Sequence, residues 1–379
     1  MKKQKEFIGY GEIENLSAVL SEYACRNVFL VRGRDSYRLS GSEKAFKKQL
    51  AGLNLRDFFD FEVNPKIEDI IKGVKALKEH QPDLVIAVGG GSVIDMAKMV
   101  NILAAQEGEI NSYLKGNKKI EKKPLPLIAV PTTCGSGSEA THFAAVYIDK
   151  RKFSLAHEFV LPDISIVDPQ FTLSLSKYLI AVSAMDAFSQ AIESYWSVNS
   201  TAESMTYSKE AIEMIIRNLA DAAKKSSRNA LQELSRAAHF SGKAINITKT
   251  TAAHALSYAI TSYFNVNHGH AVSLTLPEIF IYNSQVRDND VTDKRGAAYV
   301  RKAIGQLNSI LGTSSAQDSK AKIINLMQEA GLATRLSAVG IKSREDLEKI
   351  SSNVNIERLK NNPRLLNRRV LKEILGRIL

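Results

Sequence analysis

The segment from Asp83 to Lys98 constrains the fold more than any other part of the chain. It reads DLVIAVGGGSVIDMAK, so an apolar run is followed by three glycines and then by a helical pattern. A continuous apolar run bounded by glycine is typical of a strand buried on both faces of a parallel sheet. The segment therefore predicts a strand, a tight turn and a helix, which is one repeat of an α/β fold.

Similar apolar runs alternate with helical patterns through the first half of the chain. They occur at 27–31, 84–88, 127–130 and 164–167. One helical pattern has apolar residues at Ile67, Ile70, Ile71, Val74 and Leu77, which predicts a helix with one buried stripe. Strands that alternate with helices predict a parallel sheet covered on both faces, with ligands bound beyond the carboxyl ends of its strands.

The second half of the chain lacks strand patterns. From about residue 176 it consists of long helical segments, at 178–198, 203–225, 228–247, 250–263, 292–311, 317–330, 344–351 and 366–378. A chain of 379 residues exceeds what one hydrophobic core usually supports. We therefore expect an α/β domain at 1–175 and an all-helical domain at 176–379.

Composition and charge exclude several classes of protein. The net charge is +11, but the basic residues are dispersed over helix faces such as 361–373 and are not interleaved with aromatic residues, so we expect no nucleic-acid binding. No apolar run is long enough to cross a membrane or to form a signal sequence. The two cysteines, Cys25 and Cys134, predict no disulfide, and a cytoplasmic protein is expected.

The glycine turn within the 83–98 segment is suited to binding phosphate. Gly89, Gly90 and Gly91 have no side chains to block a pyrophosphate, and the helix that follows presents free N–H groups and the positive end of its dipole. Ser92 adds a hydroxyl donor. A turn that serves only packing is the alternative interpretation, and the flanking strand and helix favour the binding site.

A second glycine-rich turn follows the next strand, with the sequence VPTTCGSGSE at 130–139. Its hydroxyl side chains are suited to phosphate and ribose, and they belong to Thr132, Thr133, Ser136 and Ser138. Taken alone, the turn is better explained as a capping structure.

The two motifs together, GGGS-x-x-D-x-A-K at 89–98 and PTT-x-G-S-G-S-E at 131–139, resemble the iron-containing (group III) alcohol dehydrogenase family. The resemblance implies a Rossmann-like domain followed by an all-α domain, a fold shared with dehydroquinate synthase, and a homodimer. It also implies a nicotinamide cofactor bound by Gly90, Gly91, Ser92, Asp95, Thr132, Thr133, Ser136 and Lys152.

The residues after the first strand bear on the choice of nicotinamide cofactor. Members of the family that use NAD often carry an acidic residue there, whereas this chain reads VRGR at 31–34, with Gly33 in place of the acid. Arg32 and Arg34 offer guanidinium groups suited to a 2′-phosphate. NADPH is therefore favoured over NADH, and the alternative is that both arginines are only solvated.

The helical half carries the residues of a metal site. His254 and His268 lie fourteen residues apart, and Asp186 lies in an apolar helix where an unpaired carboxylate would be costly. The family pattern D-A-x-x-H-A-I-E followed by two histidines implies that Fe²⁺ or Zn²⁺ is bound by Asp186, Gln190, His254 and His268. Glutamine replaces a histidine in this set and is the poorer ligand, so metal-free catalysis or a different metal preference stays open.

The resemblance also implies the chemistry. Asp186, His254 and His268 would hold an ion that polarises an aldehyde oxygen while the nicotinamide delivers hydride. Tyr258 stands where many members have another histidine, and two interpretations remain, a proton relay or a packing residue.

Basic side chains near these ligands predict an anionic substrate. Lys249 precedes His254 by five residues, and His142 and His157 are further candidate substrate contacts. The segments SEATHF, QAIESYWS and GKAINITK resemble the branch that reduces phosphonoacetaldehyde to 2-hydroxyethylphosphonate. The alternatives are a general short-chain aldehyde or diol dehydrogenase, a dehydroquinate synthase-like lyase and an inactive homologue, and the form of the 131–139 loop argues against the lyase.

Overall fold

The computed structural model describes residues 3–148 and 151–379, apart from the side chains of Arg151, Lys152 and Glu357. By their contacts, the residues form two compact units, Met1–Leu175 and Ser176–Leu379. The first unit contains a parallel sheet with helices and the second is helical. The predicted fold class, an α/β part followed by an all-α part, is confirmed.

A six-stranded parallel sheet forms the centre of the first unit. Its order is β1-β8-β5-β4-β2-β3, with β1 at Lys5–Ile8, β2 at Asn27–Arg32, β3 at Asn54–Phe58, β4 at Leu84–Gly89, β5 at Leu127–Pro131 and β8 at Ile164–Val167. The sequence predicted β2, β4, β5 and β8. It missed the edge strands β1 and β3, because edge strands are not buried on both faces and lack the continuous apolar run.

A separate antiparallel hairpin was also missed. It consists of β6 (Phe143–Ile148) and β7 (Arg151–Ala156), which pair from Phe143 with Ala156 to Ile148 with Arg151. The second glycine-rich loop leads directly into this hairpin through a 3₁₀ turn at Ser138–Ala140.

Among its described residues, the first unit has six α-helices: α1 (Leu16–Glu22), α2 (Ser36–Leu39), α3 (Ser42–Gln49), α4 (Ile67–His80), α5 (Gly91–Ala104) and α6 (Ile110–Leu114). The predicted stripe on α4 is correct for four of its five residues, which are buried. Ile71 is the exception, with 47% of its surface exposed. At about 100° per residue, the other four lie within an arc of about 80°, and Ile71 lies about 40° outside it.

Alternate residues of the central strands pack on opposite faces of the sheet. Phe29 and Val85 contribute to one hydrophobic cluster, and Val28 and Leu84 contribute to the other. Because both faces are buried and all neighbouring strands are parallel, the carboxyl ends of β2, β4 and β5 lie at one edge. The residues that follow these three strands therefore come together.

The second unit contains ten helices within its described residues. They are α7 (Lys177–Trp196), α8 (Ala202–Lys225), α9 (Arg228–Thr248), α10 (Ala252–Phe264), α11 (His268–Ser284), α12 (Ala297–Leu311), α13 (Ala316–Glu329), α14 (Arg344–Ser352), α15 (Ile356–Leu359) and α16 (Arg368–Gly376). The sequence missed α11, since Gly269 and Pro277 interrupt its helical pattern. None of the helices in the described residues is long and apolar enough to cross a membrane.

Gly269 allows α11 to approach α7 closely. A β-carbon at this position would overlap the carbonyl oxygen of Val182 and would lie 3.0 Å from the β-carbon of Asp186. The backbone oxygen cannot move without disturbing α7. Glycine is therefore required here for packing, although the residue also lies beside candidate metal ligands.

We expect Gly269→Ala to destabilise the protein by roughly 1–3 kcal/mol, the usual cost of overpacking a closely packed interior. Gly305→Ala is the matched control, because Gly305 also lies in a helix but a β-carbon there meets nothing within 4 Å. The control should be neutral or stabilising by up to about 1 kcal/mol. Urea unfolding followed by circular dichroism measures both, and equal stability of the two variants would contradict the packing argument.

Candidate active site

The two glycine-rich loops contact each other at the carboxyl edge of the sheet. The N–H of Thr132 donates to the carbonyl oxygen of Gly89 at 3.0 Å. A β-carbon on Gly91 would lie 2.7 Å from the hydroxyl oxygen of Ser136, and one on Gly90 would lie 3.3 Å from the methyl group of Thr133. The structure thus brings together the glycines and hydroxyls that the sequence singled out.

Helix α5 begins inside this pair of loops, at Gly91. Its N-cap residue, Gly90, makes no side-chain capping bond, and the N–H groups of Val93 and Ile94 donate to the Gly90 carbonyl oxygen at 3.0 and 3.2 Å. The hydroxyl of Ser92 accepts a hydrogen bond from the N–H of Asn64 at 3.2 Å. An anionic group such as a pyrophosphate fits the N–H groups of the first turn and the positive end of the dipole of this helix.

Two charged residues of α5 hold the second loop in place. The carboxylate of Asp95 accepts hydrogen bonds from the hydroxyl of Ser138 and from the N–H of Ala145 at 3.0 Å. The ammonium group of Lys98 donates to the carbonyl oxygens of Thr141 at 2.8 Å and Phe143 at 3.0 Å. The resemblance implies that Asp95 lies near the nicotinamide, and in the structure both of its oxygens accept hydrogen bonds from the loop and the hairpin.

Lys98 is fully buried, with 1% of its surface exposed. Burial lowers the pKa of Lys98 to about 8, against the opposing effect of the Asp95 and Glu139 carboxylates. At neutral pH the group is therefore still mostly charged, and its three hydrogens can be donated to the oxygen atoms of Ser138, Thr141 and Phe143 that surround it.

Lys98→Met should destabilise the protein by at least about 1–3 kcal/mol, because carbonyl oxygens in the loop lose their donor. Burial holds the folded-state pKa near 8, below the ordinary lysine value of about 10.4, so the unfolded chain binds more protons between these two pH values. The wild type should therefore gain stability relative to Lys98→Met as the pH rises through that window. Urea unfolding at several pH values measures this, with Lys75→Met at an exposed position of α4 as the control. A pH-independent difference between the wild type and Lys98→Met would contradict it.

The arginines at the end of β2 already have acidic partners. The Nε atom of Arg32 lies 2.8 Å from a carboxylate oxygen of Asp57, and its guanidinium group stacks on Phe59 at 4.0 Å. Arg34 pairs with Asp60 at the surface. A side chain at Gly33 would overlap the Ser36 hydroxyl. A 2′-phosphate would therefore compete with carboxylates for these arginines.

The two histidines predicted to contact substrate lie next to each other in the first unit. The N–H of His157 donates to the carbonyl oxygen of His142 at 3.0 Å, and the Nδ1 atom of His157 accepts from the N–H of Phe159 at 3.2 Å. This bond assigns the proton of a neutral His157 to Nε2. Lys152 belongs to β7, opposite Tyr147, but its side chain lies outside the described residues.

Three candidate metal ligands converge in the second unit. They come from different helices, Asp186 from α7, His254 from α10 and His268 from the start of α11. Their ligand atoms all lie within 4.8 Å of one another, and His254 Nε2 lies 3.2 Å from Asp186 Oδ1. Ligands bound at 2.0–2.2 Å to one ion lie at most about 4.4 Å apart, so modest adjustment closes this set around a divalent cation.

Gln190 lies one turn after Asp186 on the same face of α7, and its side chain is buried. The hydroxyl of Ser241 donates to Gln190 Oε1 at 2.9 Å and lies equally close to the carbonyl oxygen of Ala238. A hydroxyl has only one hydrogen to donate. If Ser241 donates to Ala238, a flipped amide would let Gln190 Nε2 donate to the Ser241 hydroxyl and would place Oε1 where Nε2 now lies.

Two carboxylates control the protonation of His254. Burial by itself lowers the pKa of His254, but the charges and hydrogen bonds of Glu193 and Asp186 outweigh it and raise the pKa to about 10. Without a metal, the ring is therefore protonated and balances the buried carboxylates. A bound metal would have to displace the proton on the nitrogen that faces Asp186.

Lys249 and Tyr258 lie on either side of His254 in the sequence. The ring of Tyr258 stacks on the ring of His268, with centroids 5.7 Å apart and planes 9° apart. Lys249 ends α9 with an exposed side chain and a backbone φ of 60° and ψ of 174°.

Sequence reasoning missed three buried residues that make hydrogen bonds to the candidate loops and ligands: Lys98, Glu193 and Ser241. For Glu193, a signal was available. It follows Asp186 by seven residues, close to two helical turns, so an acidic residue on the same face of an apolar helix pointed to a shared partner.

Comparisons with known proteins agree with this geometry. Residues 4–169 match the family model for iron-containing alcohol dehydrogenase, and residues 180–379 match the model for the C-terminal region of the same family. The chain belongs to the iron-containing alcohol dehydrogenase family. The predicted family and its oxidoreductase class are thereby confirmed.

Individual relatives cover most of the chain. A phosphonoacetaldehyde reductase of Streptomyces viridochromogenes is 32% identical over 80% of this chain and 78% of its own length. A long-chain-alcohol dehydrogenase of Geobacillus thermodenitrificans is 30% identical over 73% of this chain and 71% of its own.

Solved structures share the fold over the whole chain. An iron-containing alcohol dehydrogenase from Thermotoga maritima has a TM-score of 0.86 and 26% identity, and it covers 100% of this chain and 98% of its own. A sulfoacetaldehyde reductase from Bifidobacterium kashiwanohense, solved with NAD⁺, has a TM-score of 0.88 at 23% identity and covers 100% and 97%. At that identity the second likeness concerns the fold alone.

Gln190→His tests whether this position belongs to the metal site. Imidazole is the better ligand for Fe²⁺ or Zn²⁺, so the variant should bind Zn²⁺ about tenfold more tightly or better, equivalent to about 1.4 kcal/mol. Competition with a chromophoric chelator measures the affinity. Gln106→His is the control, since Gln106 is also buried but bonds backbone groups of the first unit. Unchanged Zn²⁺ affinity in Gln190→His would place Gln190 outside the ligand set.

Proposed function

We propose that this enzyme reduces a small anionic aldehyde with NAD(P)H, and that phosphonoacetaldehyde, converted to 2-hydroxyethylphosphonate, is its substrate. The observation that carries the reaction class is the convergence of Asp186, His254 and His268, whose ligand atoms lie within 4.8 Å of one another. These donors, one carboxylate and two imidazoles, suit a divalent ion with open positions.

Each cofactor is assigned to its own set of residues. When bound, a divalent ion would polarise the aldehyde oxygen and the nicotinamide would supply the hydride. Asp186, His254 and His268 would hold the ion, with Gln190 as a fourth, weaker ligand. The dinucleotide phosphates would lie against the N-terminus of α5, bonded by the backbone and hydroxyls of Gly90, Gly91, Ser92, Thr132, Thr133 and Ser136.

Lys249 supports an anionic substrate. A non-glycine residue at φ 60° and ψ 174° costs on the order of 1–3 kcal/mol and persists only where its surroundings enforce it. The neighbours of Lys249 provide that restraint, because Asn361 Nδ2 donates to the Thr250 carbonyl oxygen at 3.0 Å and Trp196 Nε1 donates to the Thr251 hydroxyl at 3.0 Å. Strain retained beside an exposed lysine is typical of a functional position.

The relatives support two candidate substrates. The 32% identical relative is a phosphonoacetaldehyde reductase, which favours the phosphonate. The 30% identical relative is a long-chain-alcohol dehydrogenase, which favours an uncharged aldehyde or alcohol as the second candidate. We choose the anionic substrate because of the positive charge of Lys249, and we propose His142 and His157 as further contacts to this substrate.

The preference for NADPH remains part of the proposal. Arg32 stacks on Phe59 and so presents its guanidinium group in a fixed plane, which suits a phosphate. To bind the 2′-phosphate, Arg32 and Arg34 would have to exchange their ion pairs with Asp57 and Asp60 for contacts with the phosphate. We also propose a homodimer in the cytoplasm, as the family resemblance implies.

Lys249→Ala should raise the KM for phosphonoacetaldehyde at least tenfold, equivalent to about 1.4 kcal/mol of binding, because the phosphonate loses its counter-charge. The KM for propanal should change less than about twofold. The assay follows nicotinamide absorbance with NADPH and NADH, and Lys225→Ala, an exposed lysine at the end of α8, is the control.

Three outcomes of this assay would count against the proposal. Equal kcat/KM for propanal and phosphonoacetaldehyde in the wild type would overturn the anionic substrate. An equal effect of Lys249→Ala on both aldehydes would remove Lys249 as the anion contact. If no aldehyde oxidised either nicotinamide, the reductase itself would be wrong.

A further inference from the structure

Glu193 is a fully buried carboxylate whose two oxygens are both engaged by the segment that carries His254. It lies on α7, and none of its surface is exposed. Its Oε2 atom pairs with the Nδ1 atom of His254. Its Oε1 atom accepts hydrogen bonds from the hydroxyl of Thr251 and from the N–H of Ala253, both at 2.7 Å.

We propose that Glu193 is the positioning residue that makes His254 a metal ligand. This inference rests on the proposed metal centre. A carboxylate that accepts at Nδ1 keeps the proton of a neutral imidazole on that nitrogen, which leaves the lone pair on Nε2. The Nε2 atom is the one that faces Asp186, at 3.2 Å. A carboxylate at the second nitrogen also makes the ring a stronger donor to a metal.

The contacts on Oε1 fix the carboxylate itself. Helix α10 begins at Ala252, and Thr251 makes no side-chain capping bond to it. Glu193, which lies on α7, caps α10 instead by accepting a hydrogen bond from the N–H of Ala253. The Thr251 hydroxyl is held in turn by Trp196 Nε1 at 3.0 Å. One carboxylate thus sets the position of α10 and the orientation of the His254 ring on it.

Glu193→Gln separates this role from that of a structural buried acid. The amide has nearly the same volume and keeps an oxygen acceptor for Thr251 and Ala253. Its NH₂ group would face His254 Nδ1, which must then accept, so the proton of the neutral ring moves to Nε2 and blocks ligation. The substitution therefore reverses the tautomer while it preserves the packing.

Glu278→Gln is the matched control. Glu278 is equally buried, lies on α11 in the same unit, and pairs with Lys320 and Arg377. Both variants lose a buried carboxylate, and thermal unfolding measures what that costs each of them. Only Glu193→Gln should change the metal site.

The experiment measures the Zn²⁺ dissociation constant of the chelator-stripped full chain by competition with a chromophoric chelator. Glu193→Gln should bind Zn²⁺ 10–100-fold more weakly, the usual effect of removing the partner of a ligating histidine, and Glu278→Gln should stay within about twofold. Equal Zn²⁺ affinity in folded Glu193→Gln and wild type would overturn the assignment of Glu193 alone. A wild type that binds no Zn²⁺ would overturn the proposed metal centre and, with it, this inference.

A measurement on the wild type keeps the inference testable if Glu193→Gln does not fold. Nitrogen NMR of the Zn²⁺-loaded protein, labelled at histidine, reports which ring nitrogen of His254 carries hydrogen. We expect a protonated Nδ1 and a metal-bound Nε2. The reverse assignment would contradict the role of Glu193.

Discussion

The helical unit depends on how it compensates two carboxylates buried on one helix. Asp186 and Glu193 lie two turns apart on α7, and burying an ionised carboxylate costs several kcal/mol unless a partner and hydrogen bonds offset it. His254 supplies that partner to both, with one ring nitrogen toward each acid. Helix α10 must therefore dock in one orientation. Helix α11 completes the site because Gly269 lets it approach α7 and bring His268 with it.

The same arrangement explains how stability and chemistry share one set of groups. In the absence of a metal, the raised pKa of His254 means that a proton balances part of the negative charge. A divalent cation offers a larger charge at the same place, and the ring can then act as a ligand through Nε2. Glutamine and neutral histidine are both uncharged, so glutamine at position 190 does not change the formal charge of the metal site. It is only the weaker ligand of the two.

The sequence was sufficient for the parts of the molecule that depend on local pattern. It predicted the four central strands, the two glycine-rich loops and most helices, since continuous apolar runs and helical periodicity are properties of neighbouring residues. It missed β3, whose polar edge lacks such a run, and α11, whose pattern is broken by Gly269 and Pro277.

Contacts between distant segments were beyond this reasoning. The bonds from Lys98 to the 138–143 segment and from Glu193 to Thr251 join residues that are 40 and 58 positions apart. The resemblance supplied Asp186, Gln190, His254 and His268 as a set but gave no reason for their geometry. That reason lies in residues that touch them, such as Glu193 and Ser241, whose roles appear only once the helices are packed.

The most direct test of metal-assisted aldehyde reduction is the rate of NAD(P)H oxidation by phosphonoacetaldehyde before metal removal, after it, and after metal is restored. We expect the chelator-stripped protein to remain folded, to lose its activity, and to regain it with Fe²⁺ or Zn²⁺. A stripped and folded protein that reduces phosphonoacetaldehyde at the original rate would contradict the central role of Asp186, His254 and His268 as metal ligands.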